Sequence, residues 1–242
     1  MISICFPSRS RVHRVKELLD SIEKTAAHLH IENIEVLIGV DKDDPSLGDY
    51  QVIPHGGSYA SSSMRFPFVH IFTLDRSPRT SDYHNYLAKQ AKGDILLYCG
   101  DDIVFTAKNW DVKVEEHFAK SPDKIMLVYH ADRGQELATH GFVSKRSVEI
   151  LGRLLPGFRR WYHDNYMTSI YKAINRLVQD PTLGIIHKHH LYVQGVYDDV
   201  YALQYTKDEH GKRPIDYDGE EWPLSEKDRE EDVKKLTAAI AG

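Results

Sequence analysis

Apolar residues recur along the chain in two rhythms. Short apolar runs bounded by Gly or turn residues predict buried strands at 2–6, 35–40, 69–74, 94–99, 125–129 and 183–190. Between them, spacings of three and four predict amphipathic helices. The first runs from about Val12, with Val12, Val15, Leu18, Leu19, Ile22, Ala26 and Leu29 inward and Ser10 as its N-cap. Others span 81–92, ended by Gly93, and 109–120, with Trp110, Val114 and Phe118 inward. A further helix follows 140–146 and runs to Leu155. The next begins after 158–165 and carries Tyr166, Ile170, Ile174, Leu177 and Val178. Ser225-x-x-Asp228 opens a last helix that ends near Ile240. Residues 45–65, with Gly48, Gly56, Gly57 and several serines, show little periodicity and read as a long surface loop. Strands alternating with helices imply an α/β fold.

The pattern gathers around 93–105, where Ile95, Leu96, Leu97, Tyr98 and Cys99 lie between two glycines and lead into Asp101 and Asp102. Adjacent acids at the carboxyl end of a buried strand repel each other and lose hydration, so a divalent cation with oxygen ligands is one solution and a solvated turn is the other. Asp41, ending the second strand, points into the same crevice, because ligands of parallel α/β sheets bind beyond the carboxyl ends of strands. Asp43 and Asp44 read as turn residues ahead of Pro45. Arg9 and Arg11 either meet a ligand or are solvated loop arginines. In a strand at 183–190, His187 and His189 share one face while Lys188 and His190 take the other.

The order of these pieces resembles a family-2-type glycosyltransferase of the GT-A fold: strand, helix, strand ending at Asp41, helix with Asn85, then Gly-Asp-Ile-Leu-Leu-Tyr-x-x-Asp-Asp. The resemblance covers about residues 1–205. It implies a single GT-A-like α/β domain there, with a mostly parallel central sheet flanked by helices, and a charged extension over 206–242 that ends in a helix. It makes Asp101-Asp102 the DXD-type motif, which holds Mg2+ or Mn2+ against the diphosphate of a nucleotide-sugar. Pro7, Ser8 and Arg9 stand where family members carry a turn beneath the nucleotide, and Asp41 would recognise base or ribose. Arg79 would meet the phosphates, and Asn85 lies near the site by its spacing. The metal would fall to Asp102 and His187, with His189 in reserve, and imidazole beside carboxylate suits Mn2+ better than Mg2+. Asp164 would be the catalytic base; family members frequently show two acids there, and this chain has His163-Asp164. From residue type alone Asp164 reads as a plain helix cap, and it is its place in the family order that favours the base.

The implied activity is transfer of a hexose from a nucleotide-sugar, a UDP-sugar in the first instance, with inversion by single displacement. The acceptor hydroxyl would belong to a glycan, a lipid-linked sugar or another hydroxyl compound. An alternative acceptor is a hydroxymethylated base in DNA, which the Arg159-Arg160-Trp161-Tyr162 cluster would serve by stacking and charge. A related nucleotidyltransferase usually begins with a Gly-rich loop, and Pro7-Ser8-Arg9-Ser10-Arg11 has no Gly. A non-catalytic sugar-nucleotide module would have no need of the acidic pair and base.

Composition narrows this only slightly. The 242 residues are 41% hydrophobic and 28% charged, as in ordinary globular domains. No apolar run reaches the ~18 residues of a membrane span, and no leader-like segment precedes the first strand, so a cytoplasmic protein is expected. Of the net charge of -5, residues 207–235 carry most, with eleven acids and seven bases. That balance argues against DNA binding driven by phosphates. Cys5 and Cys99 fall in strands that are neighbours in the GT-A fold and read as reduced core thiols.

Overall fold

A computed structural model describes residues 1–30, 32–55, 66–131, 136–157, 163–188 and 225–242. Seven strands form the central sheet: β1 (Ile2–Ser8), β2 (Ile34–Asp41), β3 (Val69–Leu74), β4 (Ile95–Tyr98), β6 (Leu127–Tyr129), β7 (Gly141–Ser144) and β8 (Leu177–Gln179). Their order is β3-β2-β1-β4-β7-β6-β8. Only β7 runs against its neighbours; the other pairings are parallel. The mostly parallel sheet expected from the sequence is present. Two further strands, β5 (Ile103–Phe105) and β9 (Ile185–His187), make a separate antiparallel ladder.

Helices cover both faces of the sheet. Alternate residues of β1 divide between them: Ile2, Ile4 and Phe6 join one core and Cys5 the other. The first core receives α1 (Val12–Thr25) and α4 (Trp110–Ala119). The second receives α3 (Thr80–Gln90), α5 (Lys145–Leu151), α6 (His163–Ala173) and the terminal helix α7 (Ser225–Ala241). On α7, Leu236 is fully buried. The cysteines lie as expected, with Cys99 N–H donating to the Cys5 carbonyl, and burial pushes both thiols up.

Ser10 does not cap α1. The N-cap is Arg11, without a side-chain bond, while the Ser10 N–H donates to Asp44 Oδ2 at 2.8 Å. A missing cap costs about 1 kcal/mol. Burial of Val15, Leu18, Leu19 and Ile22 outweighs it, since each contributes roughly 1.5–3 kcal/mol.

Three segments differ from the sequence pattern. Leu177 and Val178 continue the helical spacing, yet α6 stops at Ala173, Asn175 turns with φ +55°, and Leu177–Gln179 extends the sheet beside β6. The expected surface loop contains α2 (Leu47–Gln51) and a 3-10 turn at Ile53–His55, because Tyr50 and Ile53 find buried sites; residues 56–65 lie outside the described residues. The expected strand over 183–190 shortens to β9 behind a 3-10 turn, Pro181–Leu183, and leaves the central sheet to pair with β5.

Glycine at 93 is dictated by close approach. A Cβ there would lie 2.5 Å from Ser3 Oγ and 2.7 Å from the Met1 carbonyl oxygen. The same spot holds the buried Glu35, which accepts from Ser3 Oγ and from the Lys92 N–H, both at 2.6 Å.

Candidate active site

The carboxyl ends of β1, β2 and β4 bring Ser8, Asp41 and the acidic pair to one edge of the sheet. Past Tyr98 the chain turns through Gly100. A Cβ at 100 would lie 2.5 Å from Asp102 Oδ1, so glycine lets that carboxylate fold back on its own loop. The two aspartates then part. Asp101 is fully buried, accepting from Ser8 Oγ at 2.6 Å and pairing with Arg11 Nη2 at 3.0 Å. Asp102 is partly buried and faces His187, with Oδ1 3.5 Å from Nε2.

The register of the small ladder makes this second pair. Ile103 lies opposite His187, and the Lys188 N–H donates to the Asp102 carbonyl at 2.7 Å. Alternation sends the Lys188 side chain away, to Glu17 at 3.0 Å. The His140 ring stands edge-on to His187, with centroids 4.5 Å apart. Burial opposes charge on Asp102, but His187, backed by His140 and Arg11, holds its carboxyl well below the usual carboxylate range. His189 lies outside the described residues.

Asp41 is buried between two donors. Arg9 Nη1 reaches its Oδ2 at 2.9 Å, and the Tyr83 hydroxyl donates to Oδ1. Arg9 also holds Asp43 at 2.7 Å. Asp44 is a turn residue, as expected, accepting from the Ser10 and Ser46 N–H groups at 2.8 Å each. Pro7 is on β1 opposite Gly39. Arg79 is the exposed N-cap of α3.

Helix α3 ties two loops together. His84 places Nδ1 2.9 Å from the Thr80 carbonyl oxygen and Nε2 3.0 Å from that of Cys99, just ahead of the acidic pair. Asn85 donates to the Leu155 carbonyl and accepts from the Leu154 and Leu155 N–H groups, at 2.8 to 2.9 Å. Its amide is therefore engaged with the chain that leads toward α6.

Asp164 stands in the first turn of α6, with Oδ1 accepting from the adjacent Asn165 N–H at 2.9 Å. An N-cap accepts from residues two or three further on, so this is not a capping bond. Burial, the largest influence, raises its carboxyl against the opposing effects of that N–H and of His187. Asp164 is thus close enough to His187 to feel its charge. Tyr50, Tyr83, His84 and His140 went unseen in the sequence. Only His140, beside the Gly141 strand, carried a local signal.

Among the described residues no group of three or more His, Cys, Asp or Glu side chains is arranged to hold a metal ion. Asp102 and His187 offer one carboxylate and one imidazole on a shared edge. That set fits a divalent cation whose remaining ligands come from a bound diphosphate and water.

No family model and no curated protein sequence matches the chain. Solved structures do match. TarS from S. aureus, residues 1–349 in complex with UDP-GlcNAc, is 12% identical with a TM-score of 0.62, over 99% of this chain and 71% of that one. The mannosyltransferase PcManGT from Pyrobaculum calidifontis, in complex with GDP-Man and Mn2+, is 12% identical with a TM-score of 0.60, over 99% and 74%. Another structure of TarS 1–349 is 13% identical with a TM-score of 0.59, over 77% of this chain and only 60% of that one. This chain is thus considerably shorter than the TarS segment it resembles. With a mostly parallel seven-stranded sheet between helical layers and these structural neighbours, the chain has the fold of GT-A glycosyltransferases.

Proposed function

We propose that the protein transfers a sugar from a nucleotide-sugar to an acceptor hydroxyl, with a divalent metal at Asp102 and His187. The observation that carries this reading is the Asp102–His187 pair on the strand-end crevice, with Asp164 within electrostatic reach. The fold neighbours, bound to UDP-GlcNAc in one case and to GDP-Man with Mn2+ in the other, support it.

Asp102 and His187 would hold the cation, which would supply positive charge to the oxygens of the leaving diphosphate. Asp41, fixed by Arg9 and Tyr83, is the base- or ribose-reading group. Asp164 takes the acceptor proton at its carboxylate, which gives single displacement with inversion. Imidazole in the set favours Mn2+ over Mg2+, and a UDP-hexose is the first donor to test.

Thermal stabilisation by UDP-GlcNAc, UDP-glucose and GDP-mannose, with and without Mn2+, tests the proposal. A donor at one hundred times its dissociation constant stabilises by about 2.7 kcal/mol. We expect that gain to require Mn2+ and to vanish in Asp102→Asn, with His187→Ala weakened in its Mn2+ titration. Metal-independent binding that survives both substitutions would remove the metal assignment.

A further inference from the structure

The two acids of the pair have the same charge but are held differently, and geometry separates their tasks. Asp101 has no exposed surface, whereas Asp102 looks onto the crevice beside His187. The surroundings of Asp101 form a closed ring. The Arg11 N–H donates to the Tyr50 hydroxyl at 2.9 Å, and that hydroxyl lies 2.8 Å from Ser8 Oγ. Ser8 donates to Asp101 Oδ2 at 2.6 Å, and Asp101 Oδ1 meets Arg11 Nη2 at 3.0 Å. Since Ser8 spends its only proton on the carboxylate, the Tyr50 proton must go to Ser8. The three hydrogen bonds from the Arg11 N–H through Tyr50 and Ser8 then run in one direction to Asp101, a pattern in which each polarises the next, and the Arg11 guanidinium pairs with the same carboxylate from its other side. The ring begins at the Arg11 backbone and ends at its guanidinium.

Tyr50 and Asp101 are both fully buried, so the ring is a fixed support. Its one partly exposed charge is Arg11, whose side chain keeps 22% of its surface. Arg11 also acts electrostatically on Asp102. Its guanidinium meets Asp101, the residue next to Asp102, so it stands beside the candidate cation site, and a planar guanidinium suits phosphate oxygens.

We propose that Asp101 is a positioning residue which, with Ser8 and Tyr50, holds Arg11 toward the diphosphate of the donor and does not itself touch the nucleotide. This rests on reading the crevice as a nucleoside-diphosphate site. It assigns Tyr50 a role that no local pattern suggests and replaces direct nucleotide contact by Asp101 and Ser8.

A double-mutant cycle tests it, with UDP and GDP as probes in the presence of Mn2+ and uridine and guanosine as phosphate-free controls. Asp101→Asn is expected to weaken diphosphate binding about tenfold and to leave nucleoside binding unchanged. In an Arg11→Ala background the same substitution should have no further effect. Tyr50→Phe removes one oxygen from the ring and keeps the core filled; a loss of a few fold, again absent without Arg11, is expected, and it carries the cycle should Asp101→Asn not fold. Additive losses, or equal losses for nucleoside and diphosphate, overturn the role. Wild-type protein that binds neither diphosphate overturns the crevice reading itself, and the role with it. Binding that Asp101→Asn and Tyr50→Phe leave intact overturns the role alone.

Discussion

Asp164 carries opposite expectations for stability and for rate. Burial raises its carboxyl, so the folded protein holds that proton more tightly than the unfolded chain does. Such a group contributes stability that is fully present below the unfolded value, about 3.9, and is lost as pH rises through the folded one. Ionised at neutral pH, it is a net cost, and Asp164→Asn should keep or raise the melting temperature at pH 7. A base works only when ionised, so the acid limb of the wild-type rate profile should lie above the ordinary aspartate value. Turnover of the Asn variant should fall roughly 10²- to 10⁴-fold, without that limb. Melting curves and transfer assays across pH check both, and a variant with normal turnover would take the base role from Asp164. Among single residues, the placement of Asp102, His187 and Asp41 at strand ends was legible, because parallel strands end on one edge and alternation chooses a face. The bonds of Asn85 and Tyr50 were not, because their partners lie far away in sequence and are fixed only by tertiary approach.

At the scale of elements, α1 and α4 announced themselves through spacing, and β8 did not. Its Leu177 and Val178 prolong a helical stripe, and only the open edge of β6 together with the left-handed Asn175 makes them a strand. The terminal helix was visible as a helix, but its docking was not, since charge dominates its sequence. That docking turns on Asp232. Buried to 1% exposure, it accepts from Arg153 Nη2 at 2.6 Å and from the Tyr166 hydroxyl at 2.7 Å, linking α7 to the helix that bears Asp164. Asp232→Ala leaves a partly exposed Arg153 and a buried hydroxyl without their acceptor. A loss of roughly 2–3 kcal/mol is expected, read as a lowered urea midpoint. An unchanged midpoint would mean that the apolar face around Leu236 holds α7 without it.

For the whole molecule, the half of the sheet from β3 to β4 was readable because each strand there alternates with an amphipathic helix or is closed by glycine. In the other half β6 was readable from its apolar run at 125–129, whereas the reversed β7 and the added β8 depend on pairings no local pattern encodes. The small β5–β9 ladder adds a property that the static distances do not express. It has only three residues a side; Ile103, Phe105 and Ile185 anchor it in the core, but Ile186 at the middle of β9 is half exposed, so the outer strand is short and its end near His187 is the least covered part. Units of that kind open at lower free energy than the core they border. Hydrogen exchange should therefore find the Lys188 amide, bonded to the Asp102 carbonyl, far less protected than the amides of β1 and β2. Mn2+ with a bound nucleotide should slow Lys188 selectively, because both candidate ligands ride on this ladder. Uniform protection across both regions would contradict this. Otherwise the site can come apart and re-form while the sheet beneath it stays folded, and cation occupancy becomes a measure of how often it does.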